Sequence, residues 1–242
     1  MTVEINHSLS VDCAIFGYDG EDLKVLLVEQ RHTPITVGEQ RRLKLPGSII
    51  LANETIPDAA RRVLRDRTGL ERVFLKQTDI FSDPSRIYGN ELEWISKLHN
   101  ISTTRVITVG HYALVRITPT ILRNTKLKGA KWYSYDEIPR LAMDHTLILK
   151  HALGVLRADF ELSPIVSELL PKKFTIRELQ NLYSAVMGIG IDSRNFRKKV
   201  LGADIVKHTG EHERGVAHKP AEYFVFNQTA FRRSLKRGLR YL

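Results

Sequence analysis

The sequence predicts a mixed α/β domain over residues 1–157, a linker over 158–171 and a winged helix-turn-helix domain over 172–242. Two observations predict the folds. Strand and helix patterns alternate through the first part, which is how mixed α/β domains are written. In the second part the order is helix, glycine-containing turn, helix, hairpin, which is the order of a winged helix-turn-helix. A third observation is charge. The net charge is +10, yet Pro171 to the C-terminus holds 15 Lys/Arg and 6 Asp/Glu, a net of +9 that leaves the remainder at +1. A near-neutral body joined to a basic module is the footprint of a domain that binds a polyanion.

The elements follow in order. Val11 and Ala14 to Phe16 form an apolar run, Tyr18-Asp19-Gly20-Glu21-Asp22 is turn chemistry, and Leu23 to Val28 return as a second strand, so 10–30 reads as a hairpin. After Leu43-Lys44-Leu45-Pro46-Gly47-Ser48 a helix starts. Thr55 can cap it, Pro57 suits its first turn and Asp58 completes a capping-box-like pattern; Ile56, Ala60, Val63 and Leu64 form its apolar stripe, and Gly69 ends it. Val73–Phe81 reads as a strand. Residues 82–103 are polar and irregular, with Leu92, Trp94, Ile95 and Leu98 marking a short inserted helix. Strands return at Arg105–Ile117 and Ala130–Tyr135, and a Leu/Ile-rich helix runs from about Thr146 to Arg157. The stretch 158–171 lacks periodicity and contains Pro164 and Pro171, which marks the linker.

Thr175-Ile176-Arg177-Glu178 is a capping box that opens a helix with Leu179, Leu182, Tyr183 and Val186 on its apolar face. Gly188 and Gly190 make the turn, and Asp192 caps a second helix, Ser193–Leu201. Ile205-Val206 and Tyr223 to Phe226 are short strands around a loop, Thr209–Pro220, which forms the wing.

The composition, 43% apolar and 26% charged, is that of a soluble globular chain. The single cysteine, Cys13, sits in a strand pattern and reads as a buried small hydrophobe; no disulfide within the chain is possible. No stretch approaches 18 apolar residues, so no membrane partner is expected and the expected location is the cytoplasm.

The second helix of a helix-turn-helix enters the major groove. Phe196 and Val200, four residues apart, face the core, which leaves Arg194, Asn195, Arg197 and Lys198 outward. Arginine can read guanine and asparagine adenine through paired hydrogen bonds. Lys198 and Lys199 suit phosphates, which position a protein without reading sequence. Arg214, His218 and Lys219 place further charge on the wing, and Arg232, Arg233 and Arg237 make the tail basic. His208, His212 and His218 lack regular ligand spacing and a nearby cysteine, so they read as solvated histidines, and neither metal nor cofactor is expected.

Pro46-Gly47-Ser48 to Gly69-Leu70 resembles a Nudix box, G-x5-E-x7-R-E-U-x-E-E-x-G-U with U aliphatic. Ser48 falls on the leading glycine, Glu54 on the first glutamate, Arg62 on the arginine, Leu64 on U, and Gly69-Leu70 on the closing pair. The resemblance implies an α+β Nudix-like sandwich. The box's three helical glutamates fall on Val63, Asp66 and Arg67. Positions i, i+3 and i+4 share one helix face, which is how the box aims three carboxylates at Mg²⁺. With one carboxylate left, these box remnants imply an inactive domain, and Glu54 with Arg62 is expected to persist as an ion pair tying loop to helix. The alternative is a nucleotide pyrophosphohydrolase using Glu54, Asp66 and a carboxylate from outside the box, with an appended winged helix.

The whole pattern is similar to the Nudix-related transcriptional regulators, the NrtR-like family. It is carried by Phe174 to Gln180 with Leu182-Tyr183, by Arg194-Asn195-Phe196-Arg197-Lys198, by Arg214-Gly215 with Lys219-Pro220-Ala221, and by Asp144-His145. The resemblance implies a homodimeric repressor on a pseudo-palindromic operator in double-stranded DNA. Its effector would be an ADP-ribose-type nucleotide or, as in the arabinose regulators, a sugar; Val63 is closer to the sugar branch. The effector-binding residues are not legible. Residues 84–103 exceed the family's usual loop, and this insertion bears on the pocket or on the dimer contact.

Overall fold

A computed structural model describes residues 7–29, 42–71, 73–87, 89–100, 102–162, 164–217, 219–227 and 229–230. His218 and the basic tail Arg232 to Arg237 lie outside the described residues, as does the side chain of Trp94. The chain divides into two compact units: residues up to Gly17 with Lys24–Gly154, and Tyr18–Leu23 with Val155 onward.

In the first unit the strands are β1 (His7–Tyr18), β2 (Leu23–Glu29), β3 (Leu43–Lys44), β4 (Gly47–Ile49), β5 (Phe74–Phe81), β6 (Arg105–Arg116) and β7 (Ala130–Ser134). They join in one sheet of order β3-β2-β1-β6-β5, with β4 also pairing β1 and β7 pairing β2. The helices are α1 (Ile56–Thr68), α2 (Asn90–His99), α3 (Pro119–Leu127) and α4 (His145–Leu162), the last continuing into the second unit. The core packs β1, β2 and β6 (Val11, Ile15, Leu26, Val115) against the α1 stripe Ala59, Ala60, Val63 and Leu64. Cys13 is fully buried, its thiol toward the Ala60 carbonyl, and burial pushes its pKa up.

Helix α1 forms as its termini dictate. Thr55 accepts from the Asp58 backbone N–H, Pro57 occupies the first turn, and Gly69 closes the helix with φ 76°. The Asp58 carboxylate accepts from the Thr55 hydroxyl at 2.6 Å, so the box-like pattern closes side chain to side chain. The inserted helix expected within 82–103 is α2. Helix α3 is an addition to the sequence expectation: Thr118 caps it through the Ile121 N–H and Pro119 starts it.

In the second unit lie the remainder of α4, a 3₁₀ turn (Pro164–Glu168), α5 (Ile176–Met187), α6 (Ser193–Gly202) and the hairpin β8 (Val206–His212) and β9 (Glu222–Phe226). Helix α4 runs past Arg157 to Leu162, and Val166 and Leu169 beyond it are buried, so part of 158–171 is packed helix. The reason is Phe160, which is fully buried and meets Tyr183 edge-on at 4.9 Å. The Thr175–Glu178 capping box of α5 closes in both directions, and Gly188 ends the helix with φ 69°. Strand β8 extends through Gly210 (φ 76°) to His212, which shortens the wing loop expected over 209–220. Glu213 and Ala221 pin its base through Glu213 N–H to the Ala221 carbonyl, 2.9 Å, and Ala221 N–H to the Glu213 carboxylate, 3.0 Å.

Candidate functional site

The second unit presents a charged helix face. Asp192 caps α6 by accepting from the Asn195 N–H at 2.8 Å. The Gln180 amide donates to the Ile191 carbonyl at 2.9 Å and the Ser193 hydroxyl at 3.0 Å, fixing the turn between α5 and α6. Phe196 and Val200 are buried, and Phe196 meets Tyr183 at 5.5 Å. With that stripe inward, Arg194, Asn195, Arg197, Lys198 and Lys199 are all exposed, as are Arg214 and Lys219 on the wing. Arg197 reaches Glu222 on β9 at 3.3 Å, and His208 lies 3.8 Å from the same carboxylate oxygen.

The first unit contains a cavity of about 370 Å³ lined by the outer face of α1. Arg62, Val63, Asp66 and Arg67 line it from α1, Asp12 from β1 and Lys44 from β3. Arg62 is tied to the Glu54 carboxylate through Nε and Nη2, the latter at 2.9 Å, and also to the Ile49 carbonyl at 3.1 Å. This is the expected ion pair from loop to helix. The guanidinium bonds hold the Glu54 carboxyl below the usual carboxylate range.

Asp12 is nearly buried and accepts from the Thr108 hydroxyl at 3.0 Å; Thr108 in turn pairs with the Ser10 hydroxyl. A Cβ on Gly47, the strand partner of Asp12, would fall 1.9 Å from the Asp12 carboxylate, so this close approach demands glycine. His145, the first residue of α4, accepts the Leu45 N–H on Nδ1 at 3.1 Å and turns Nε2 toward Asp12 at 3.9 Å. Burial lowers the His145 pKa to about 4, so the ring is neutral at pH 7. Desolvation also lowers the Lys44 pKa, against the attraction of Asp12 and with the repulsion of Arg67.

The rest of the lining is apolar: Ile49, Ile87, Ile95, Val106 and Met143. Ile87 and Ile95 come from the 84–103 insertion, which therefore builds one wall of the cavity. Arg86 anchors that segment. It makes two 2.8 Å bonds to Asp144 and donates to the Val106 carbonyl at 3.3 Å.

A divalent cation on the α1 face does not fit these residues. Val63 is 3% exposed and belongs to the core, Arg67 is cationic, and Asp66 alone offers carboxylate oxygens, whereas hard cations take six or more oxygen ligands. Among the described residues no three His, Cys, Asp or Glu side chains are grouped to hold a metal. Sequence reasoning singled out the α1 residues and missed Asp12 and Lys44. Their signal was a charged residue inside an apolar strand run, Val11-Asp12-Cys13 and Leu43-Lys44-Leu45.

Fold and site define a class: a Nudix-type domain without the metal-binding carboxylates of its box, followed by a winged helix. Residues 6–152 match the NUDIX domain family and residues 166–226 match the NrtR DNA-binding winged helix domain. The chain belongs to the NrtR-like family of Nudix-related regulators. It is 23% identical over 222 residues to the ADPR responsive transcriptional repressor NtrR of Acinetobacter baylyi, covering 90% of this chain and 81% of that one. It is 25% identical over 137 residues to an ADP-ribose pyrophosphatase of Methanocaldococcus jannaschii, covering 57% of this chain and 70% of that one. Its fold is shared with Shewanella oneidensis NrtR complexed with a 27mer DNA, at TM-score 0.70 and 24% identity, over 92% of this chain and 95% of that one. No helix among the described residues is long and apolar enough to cross a membrane.

Proposed function

We propose that this protein is a transcriptional repressor that reads duplex DNA through α6 and senses an ADP-ribose-type effector in its Nudix domain without hydrolysing it. The observation that carries the reading is the exposed face of α6, on which Arg194, Asn195, Arg197, Lys198 and Lys199 stand out around the buried Phe196 and Val200. Arg194, Asn195 and Arg197 are the base readers, and Lys198, Lys199, Arg214 and Lys219 are the phosphate contacts. The repressor of A. baylyi, similar along most of both chains, supports effector and role together. Hydrolysis would need metal ligands beyond Asp66 on the α1 face, and Val63 and Arg67 do not supply them.

The chain acts as a homodimer divided at 1–157, 158–171 and 172–242, with two α6 helices reading half-sites about 34–36 Å apart. An effector that prefers the state not matched to the operator lowers DNA affinity by its difference in binding between states. A coupling of about 1–3 kcal/mol gives roughly a 5- to 150-fold change.

The experiment is selection of the purified protein against random duplexes at about 150 mM salt, a concentration at which phosphate contacts alone bind weakly. A pseudo-palindrome is expected to emerge. Arg194→Ala or Arg197→Ala is expected to lower affinity for it by about 1–3 kcal/mol. Variants that keep wild-type affinity and salt slope would overturn the assignment of α6.

A further inference from the structure

We propose that Glu222, the first residue of β9, is a positioning residue for base reading: it aims the Arg197 guanidinium at one base of the site and, by its negative charge, weakens the protein's hold on DNA of any other sequence. This rests on the reading of α6 as the helix that meets DNA.

The geometry singles out one pair. Arg197 donates from Nη2 to Glu222 Oε2 at 3.3 Å. Among the described residues, the other outward cations of α6, Arg194, Lys198 and Lys199, meet no carboxylate within 4.0 Å, so Glu222 acts on one reader. The backbone around Glu222 is fixed on both sides. Ala221, just before it, exchanges two bonds with Glu213, at 2.9 and 3.0 Å. Phe224, two residues on, exchanges both backbone bonds with Phe174, at 3.0 and 2.7 Å, and its ring is fully buried. Residues i and i+2 of a strand share a face, so the Glu222 side chain leaves β9 on the face that Phe224 anchors. His208, whose ring lies 4.4 Å from the Phe224 ring, flanks the same carboxylate oxygen at 3.8 Å.

Two consequences follow from chemistry. An arginine on an exposed helix face has many rotamers, and phosphate competes with base edges for it. A carboxylate held on a strand removes part of that freedom. The contact uses one of the five guanidinium N–H donors, which leaves enough for a paired bond to guanine O6 and N7. The same carboxylate repels phosphate. On the matched site the base contact offsets that repulsion; on other sequences nothing does, so the ratio of specific to non-specific binding rises.

The test is selection of the full chain against random duplexes, run on wild type, Arg197→Ala, Glu222→Ala, Glu222→Gln and the double alanine variant. Affinity for one scrambled duplex is measured against salt alongside. The base whose preference Arg197→Ala removes is the base that Arg197 reads. The Arg197 and Glu222 side chains are 50% and 40% exposed. Glu222→Ala is therefore expected to weaken the preference at that base by about two- to fivefold, the range of a surface ion pair. The other bases of the site are expected to keep their preferences, which also shows that the variant is folded. On the scrambled duplex Glu222→Ala is expected to bind more tightly and to steepen the salt slope by about 0.9, one phosphate newly held by Arg197. Glu222→Gln keeps an acceptor oxygen and drops the charge, and is expected to retain more of the base preference than Glu222→Ala. In the Arg197→Ala background, Glu222→Ala is expected to change no base preference. An unchanged preference at the Arg197 base in Glu222→Ala would overturn the proposal. So would an equal loss at every base, the mark of a merely structural role. If Arg197→Ala itself removes no base preference, the base-reading assignment of Arg197 fails and the proposal fails with it, an outcome told apart because it appears without any change at Glu222.

Discussion

The link between Arg86 and Asp144 carries a calculable share of the first unit's stability. The Arg86 and Asp144 side chains are 3% and 14% exposed and share two 2.8 Å bonds, so water screens the pair little. Asp144→Ala leaves the guanidinium buried with the Val106 carbonyl, 3.3 Å away, as its remaining acceptor among these bonds. Breaking one side of a buried pair costs about 3–5 kcal/mol, because the orphaned charge stays desolvated. Against a domain stability of about 5–15 kcal/mol this is a large fraction. Replacing both partners by apolar side chains of similar volume, Arg86→Met with Asp144→Leu, removes the stranded charge and should cost far less than Asp144→Ala alone. The assay is urea denaturation followed by tryptophan fluorescence. The chain has two tryptophans, Trp94 and Trp132, both within the first unit, so the signal reports that unit's unfolding. A midpoint shift at constant slope measures the change in stability. The reasoning fails if Asp144→Ala costs under about 1 kcal/mol, the range of a surface ion pair, or if the double variant is no more stable than the single one.

Two further outcomes are expected. His145 has a folded pKa of about 4 against an ordinary value of 6.5, so below pH 6.5 the unfolded chain takes up a proton that the folded chain refuses. Stability from this residue is complete above pH 6.5 and drains away as pH falls toward 4; melting temperature against pH should lose slope over that window in His145→Gln. Gly47→Ala forces a Cβ within 1.9 Å of the Asp12 carboxylate and 2.8 Å of the Val11 carbonyl. Either the carboxylate or strand β4 must move, at about 1–3 kcal/mol by denaturation, and ligand stabilisation of the cavity should fall with it.

Much of the architecture was legible because its determinants are local. Thr55, Thr175 and Asp192 each cap a helix through a donor three residues on, and Phe196 with Val200 sets the inward stripe of α6. Those signals lie within one or two helical turns, so the outward set Arg194, Asn195, Arg197, Lys198 and Lys199 could be read directly. Helix α3 was missed although Thr118-Pro119 is a sound start signal, because its run of nine residues carries just two buried positions, Ile121 and Thr125. The length of α4 was missed because Phe160 is held by a partner, Tyr183, that lies beyond a turn and another helix start.

The sequence by itself determined the two folds, their order, the charge asymmetry and the loss of the box carboxylates at Val63 and Arg67. The tertiary structure decided what that loss left behind. The cavity joins groups about a hundred residues apart in the chain: Ser10 with Thr108, Asp12 with Thr108, and Leu45 with His145. Strand pairing of β1 with β6 sets the first two contacts and the approach of the α4 start to the turn between β3 and β4 sets the third, and no periodicity within a single segment encodes which element will lie beside which. The same holds for the 84–103 insertion, whose polar sequence hides two isoleucines that become a cavity wall once Arg86 meets Asp144.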